Sequence, residues 1–159
     1  MKITLLQVGK TRAKPLAEGA AFYRKKLAPY TRVQSIVIPD QPVPQPLTAS
    51  VIEAIQDKEA QAIIKRWPAH VIMTALDGRG EAFSSLEFAR WMEEQHVGGQ
   101  SHLGFVIGGV VGLSDAVLAK SQRVWSLSRL TFPHQMVPML VWEQLYRAFR
   151  IIRQEPYHY

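Results

Sequence analysis

A chain of 159 residues, 47% apolar and 20% charged, is sized for one domain whose core needs no disulfide staples, and it has no cysteine to make them. No apolar run approaches the roughly 18 residues of a membrane span, and the opening Met1–Lys14 is too briefly apolar for a signal-peptide core, so a cytoplasmic, soluble protein is expected. The net charge of +6 sits at the ends: residues 1–32 hold eight Lys/Arg against one acid, 33–146 eight against eleven, and 147–159 three against one, which fits a polyanionic partner or a solvated face at Arg24, Lys25 and Lys26.

Residues 2–8 predict a buried strand, and Pro15 suits the opening of a helix reaching Leu27. Residues 33–38 read as strand two. Pro39–Pro46 then places four prolines in eight residues, which excludes helix or central strand; a stiff connection accounts for them better than a P-x-x-P ligand motif. Val51, Ile55, Ala62 and Ile63 fall along one side of a helix over 50–66, with Ser50 as its N-cap. Residues 70–76 form a continuous apolar run, the pattern of a strand covered on both faces, and Leu76–Phe83 is expected to turn the chain.

Ser84 and Glu87 have the spacing of a capping box for a helix running to Gln95, ahead of Gly98 and Gly99. Strand four is expected over 103–107, followed by a glycine turn and a short helix that Ser114 or Asp115 can cap. A short strand over 123–127 and a long helix over 133–153 lead to the tail Pro156–Tyr159. This repeated strand-then-helix order predicts one α/β domain over 1–159, its sheet mostly parallel and carrying helices on both faces.

The glycine turn reads G-G-x-x-G (Gly108, Gly109, Gly112). It lacks the first spacer of the dinucleotide fingerprint and has no acid about 20 residues on to hold a ribose. Alone it is either an ordinary turn or a place where backbone meets a ligand. Open parallel sheets bind ligands beyond the carboxyl ends of their strands, which selects three segments: Leu76 onward, Gly108 onward and Leu127 onward. The third supplies main-chain groups, the Ser128 and Thr131 hydroxyls and the apolar Leu130 and Phe132. Such a pocket suits an adenine ring and a methionine-like chain; it suits a triphosphate poorly, since no phosphate-loop motif is present.

No Ser-His-Asp or Cys-His set can be assembled, and the scattered acids show no metal spacing, so no metal is expected. His70, His96 and His102 read as boundary residues. His134 follows Pro133, where capping explains it as well as ligand contact. His158 either folds over a site with Arg147, Arg150 and Arg153 nearby or frays with the chain end. The last helix is apolar nearly all round, which requires burial on several sides by the chain's own core or by a second copy.

These segments taken in order, Leu76–Gly80 (LDGRG), Phe105–Leu113 (FVIGGVVGL), Trp125–Met136 (WSLSRLTFPHQM), Glu143–Ile151 (EQLYRAFRI) and the PYHY ending, together with the opening MKITLLQVGK, carry a resemblance over essentially the whole chain. It resembles the RlmH-type ribosomal RNA methyltransferases, small members of the SPOUT class. The resemblance implies a C-terminal trefoil knot, a homodimer, and S-adenosylmethionine held in the knot. It further implies methyl transfer to N3 of a pseudouridine in 23S ribosomal RNA on the assembled ribosome. Carried over by position, Leu76, Gly108, Leu127, Ser128, Arg129, Leu130, Thr131 and Phe132 are the expected cofactor contacts. His158, Tyr157, Glu143 and Arg147 are the expected catalytic group, with His158 or Glu143 orienting or deprotonating the base and Arg147 contacting the uracil ring or a phosphate.

Two positions depart from the family pattern. Tyr159 replaces a terminal Lys or Arg, removing one phosphate contact, and Pro138 replaces an Arg, where an interior proline would cost about 3 kcal/mol. A catalytically weakened RNA- or ribosome-binding module on the same fold is therefore the alternative reading. A nucleotide- or NAD-dependent small-molecule enzyme is disfavoured by the missing fingerprints. If the basic N-terminal stretch contacts RNA, log affinity falls linearly with log salt, and neutralising Arg24, Lys25 or Lys26 flattens the slope in a filter-binding series; an unchanged slope returns these residues to a solvated face.

Overall fold

Two strands with almost every side chain enclosed form the centre of the fold. β1 (Lys2–Val8) and β4 (His102–Ile107) are buried at all but their first residues and run side by side in parallel. The computed structural model describes all 159 residues, with sheet order β2–β1–β4–β3–β5 and every pairing parallel. The other strands are β2 (Arg32–Ile38), β3 (Ile72–Ala82) and β5 (Arg123–Ser126), with β2 and β5 at the edges. Parallel neighbours require crossovers. These are supplied by α1 (Lys14–Leu27), α2 (Ala49–Arg66), α3 (Ser85–Val97) and α4 (Asp115–Lys120), while α5 (Val137–Ile152) follows the last strand.

The two-residue period of the strands sorts side chains into two cores. Ile3, Leu5, Leu103, Phe105 and Ile107 face α1, α3 and α5; Leu6, Val8 and Val106 face α2 and α4. The helices therefore lie on both faces, as the strand–helix order predicted. In the first core the Phe88 ring stacks on Trp125 with centroids 4.3 Å apart and 15° between planes, which ties α3 to the short edge strand β5.

Local sequence places most helix ends. The Ser84–Glu87 capping box is present in both directions, at 3.2 Å (Glu87 N to Ser84 Oγ) and 2.7 Å (Ser84 N to Glu87 Oε2), and Ser114 caps α4 through Val117 N. The α2 cap is Thr48, not Ser50: Thr48 Oγ1 accepts from Val51 N at 3.3 Å, so the helix starts one residue early and Ser50 lies inside its first turn. α3 continues to Val97, two residues past the expected end. α1 has no side-chain cap of its own at Ala13. Instead Gln135 Oε1, more than a hundred residues away in sequence, accepts from Arg12 N at 2.8 Å and Ala13 N at 3.0 Å.

Two further expectations are corrected. Leu76–Phe83 is not simply a turn, because β3 runs on to Ala82 through a bulge where Leu76 and Glu81 both oppose Trp125. α5 begins at Val137 rather than Pro133, so Pro138 falls in the first turn, where no intrahelical N–H is lost and the cost of an interior proline does not arise. The aromatic residues of α5 are absorbed by this same chain: Trp142 is 1% exposed, and Tyr146 and Phe149 are buried against α1, α3 and the sheet. Enclosure of this helix thus does not by itself call for a second copy.

Gly104 in β4 permits one tight approach. A Cβ there would lie 2.5 Å from Trp67 Cζ2 and 2.7 Å from Val71 Cγ1, and the indole is held by a 3.0 Å hydrogen bond from Trp67 Nε1 to Val71 O. Gly104→Ala is expected to lower the unfolding free energy by about 1–3 kcal/mol through overpacking, measured by urea denaturation.

Candidate functional site

The carboxyl ends of β3, β4 and β5 open into one cleft of about 610 Å³. Its first wall is the β3 bulge. Gly80 lets β3 close again on β5 there, since a Cβ would meet Val124 O at 2.5 Å. Arg79 braces the bulge, with Nε 2.8 Å from Asp77 Oδ1, Nη1 2.8 Å from Asp115 Oδ1 and Nη2 3.1 Å from Leu113 O. Burial pushes the Asp77 carboxyl up, but hydrogen bonds and charge from Arg79 outweigh it and hold the group below the usual carboxylate range.

The second wall is the glycine turn. Gly112 has φ +78°, and a Cβ on Gly108 would lie 2.8 Å from the Gly112 carbonyl carbon, so the loop folds back closer than a side chain allows. The third wall is the segment after β5. Ser126 Oγ donates to Ser128 O at 3.0 Å, and Ser128 Oγ accepts from Leu130 N at 3.0 Å. The Ser128 hydroxyl therefore shapes its own loop, beyond any contact it makes with a ligand.

All eight residues expected at a cofactor lie on this cleft: Leu76, Gly108, Leu127, Ser128, Arg129, Leu130, Thr131 and Phe132. Asp77 and Gly78 belong to the selected segment after Leu76 but are not among the expected contacts, and Trp125 is expected only inside a strand. His134 lies on the cleft too, outside the helix it was expected to open, and Val137 brings the first turn of α5 to the same place. Val110 and Leu130, 57% and 74% exposed, form apolar lips. No group of three or more His, Cys, Asp or Glu side chains is placed to hold a metal ion, and no helix is long and apolar enough to cross a membrane.

Glu143, Arg147, Tyr157 and His158 form a second constellation, and none of them lines the cleft. Glu143 Oε1 accepts from Arg147 Nη2 at 2.5 Å, Arg147 Nε at 3.1 Å and Tyr157 OH at 3.0 Å, while Oε2 accepts from Gln144 Nε2 at 2.6 Å. The Arg147 guanidinium lies 4.7 Å from the Tyr157 ring centre, with Nη1 3.4 Å from His158 Nδ1. Burial works against the Arg147 charge, but hydrogen bonding and the charge of Glu143 keep its pKa raised. Burial, a hydrogen bond with Tyr23 and the Glu143 charge push the Tyr157 hydroxyl well above its ordinary range, so it remains a donor.

The tail is docked through position 157. Tyr30 OH donates to Glu155 Oε2 at 2.5 Å, Arg150 Nη1 lies 3.1 Å from the same Glu155 oxygen, and Arg150 Nη2 donates to Pro156 O at 2.7 Å. That Glu155 contact, together with burial, raises the Tyr30 pKa. Val137 at the cleft and Glu143 share one rigid helix, about 9 Å apart along its axis.

The Asp77–Arg79 contact gives a signed pH effect. A carboxyl held below its unfolded pKa contributes stability above that value, near 3.9, and loses it as pH falls through the folded pKa. Asp77→Asn is therefore expected to destabilise the protein at pH 7 by about 1 kcal/mol, a small figure because Arg79 is more than half exposed. In thermal melts across pH the gap from the unaltered protein should close below about pH 4.

Residues 1–158 match the family described as "Predicted SPOUT methyltransferase". The chain is 42% identical over 162 residues to the ribosomal RNA large subunit methyltransferase H of Symbiobacterium thermophilum, covering 99% of each chain. It is 43% identical over 160 residues to the protein of that name from Listeria monocytogenes serotype 4b, again covering 99% of each. Among solved structures, a probable methyltransferase from Bordetella pertussis aligns at TM-score 0.56 with 15% identity, covering 92% of this chain and 95% of that one. A probable methylase family protein from Haemophilus influenzae aligns at 0.53 with 15% identity over 99% of this chain and 70% of that one. At such identity these two structures speak for the fold alone. Matched from end to end by the family and by its curated members, the chain belongs to the SPOUT methyltransferases and, within them, to the ribosomal RNA large subunit methyltransferase H group.

Proposed function

We propose that this chain transfers a methyl group from S-adenosylmethionine to N3 of a pseudouridine in 23S ribosomal RNA on the assembled ribosome, as a cytoplasmic homodimer. The observation that carries this reading is the single cleft at three strand ends. Its volume lies within the roughly 300–1,000 Å³ of small-molecule sites. Its lining is mostly main chain, hydroxyl and apolar surface, with Arg129 and His134 its only basic side chains, which fits a nucleoside joined to an amino-acid chain better than a triphosphate. Leu76, Gly108 and Leu127–Phe132 would hold it, with Gly108 bringing backbone to the ligand. When bound, the sulfonium supplies an electrophilic methyl group.

The chain's own task is then to present N3, take its proton and hold the charge that develops. Glu143 has its lone pairs committed to Arg147, Tyr157 and Gln144; it serves as the group that orients them. His158 has only the long Arg147 contact, and with Nδ1 released from it the imidazole is the better placed of the two to accept the proton. Arg147 supplies positive charge to the uracil ring or a phosphate, and Tyr157, kept protonated, donates a hydrogen bond. Cleft and constellation are separate on one chain, and the apolar lips Val110 and Leu130 are uncovered, which supports a second copy bringing its tail to this cleft. A knot is supported by the segment after β5: it leaves one edge of the sheet and reaches the β1–α1 loop at Gln135, crossing the end where the glycine turn lies.

Isothermal titration should show S-adenosylmethionine binding to the unaltered protein and, with affinity nearly unchanged, to His158→Ala. Methyl transfer by that variant should fall about 100-fold or more, the scale of a lost proton-transfer group. Equal turnover would remove His158 from the mechanism. Mass mapping of 23S RNA from cells lacking the protein should show one methyl group missing, and an unchanged pattern would leave the binding-module alternative.

A further inference from the structure

We propose that Gln56 and Glu59, on one face of α2, form a clamp that positions the glycine wall of the cleft for its cofactor; this rests on the cofactor reading of that cleft. Gln56 Nε2 donates to Val111 O at 2.9 Å. One turn later the Glu59 carboxylate lies against Gly109, and Oε1 accepts from Gln41 N at 3.2 Å. Three residues apart on a helix, the two side chains share a face, and both bear on the same loop. A Cβ on Gly109 would lie 3.1 Å from both carboxylate oxygens and from Val8 Cγ1, so the absence of a side chain lets the loop seat on Glu59.

Glu59 is a costly residue to keep here. It is 4% exposed, its helix neighbours Ile55, Ala60 and Ile63 are buried, and Oε2 has no hydrogen-bond partner. Burial, together with repulsion from Asp40, raises its pKa against backbone hydrogen bonding, so the ionised form is strained where it stands. Packing alone would favour an uncharged side chain at this position. The benefit falls on Gly109 and Val110, which line the cleft, and stability given up at a site for function is a recurring trade.

The test compares the unaltered chain with Glu59→Gln, which keeps the shape and removes the charge, and with Gln56→Ala. Amide hydrogen exchange over residues 108–112 without ligand should accelerate in both variants while the rest of the sheet is unchanged. Affinity for S-adenosylmethionine should fall about tenfold in Glu59→Gln, or about 1.4 kcal/mol, with a melting temperature equal to or above that of the unaltered protein. Unchanged loop exchange and affinity in a folded Glu59→Gln would overturn the clamp. So would a parallel fall in melting temperature and affinity with faster exchange throughout, which marks a purely structural residue. If Glu59→Gln does not fold, Gln56→Ala decides on the same readouts. Failure of the unaltered protein to bind S-adenosylmethionine would overturn the reading of the cleft, whereas the exchange comparison tests the clamp's hold on the loop without ligand.

Discussion

Enclosure of β1 and β4 on both faces is the constraint from which the rest of the structure follows. Their side chains serve two cores at once, so helices must cover both sides of the sheet and neither face can carry a polar site. Parallel strands also bring their carboxyl ends to one edge. The polar groups that folding leaves uncommitted gather there, in loops that a rigid sheet holds in place.

That edge is stiffened from several directions. Arg79 ties the β3 bulge to Asp115 and to Leu113 O, the β5 loop closes on itself through Ser126 and Ser128, and Gln135 links the segment before α5 to the main chain ahead of α1. Few of these contacts involve residues adjacent in sequence. The walls of the cleft are therefore products of the assembled fold, and a change in one loop is transmitted through polar contacts to another.

α5 joins the two chemical regions. Its first turn reaches the cleft and its later turns carry Glu143 and Arg147, with Tyr157 and His158 folded back beside them. Because Trp142, Tyr146 and Phe149 are locked into the core, this helix acts as a fixed spacer. Arg150, Glu155 and Tyr30 hold the return of the tail, so the terminal tyrosine–histidine pair starts from a defined position and not from a freely moving end.

The sequence by itself determined the elements whose signals are local. The apolar runs at 2–8 and 103–107, the Ser84–Glu87 box, the Ser114 cap and the glycines at 108, 109 and 112 each act within a few residues, and ordered motifs identified the family. It also selected the three strand ends, because parallel topology follows from strand–helix order. Only the tertiary structure decided the rest. The β3 bulge depends on β5 pairing twice with one strand, the Pro138 penalty vanishes because a helix begins where its packing begins, and Trp142 found its cover inside the chain. Glu59 lies four residues from both Ile55 and Ile63, on the apolar side of α2, yet nothing near it or Gln56 in sequence reveals that their face meets the glycine turn. Contacts between residues tens of positions apart have no short-range signature, and here they are what shapes the site.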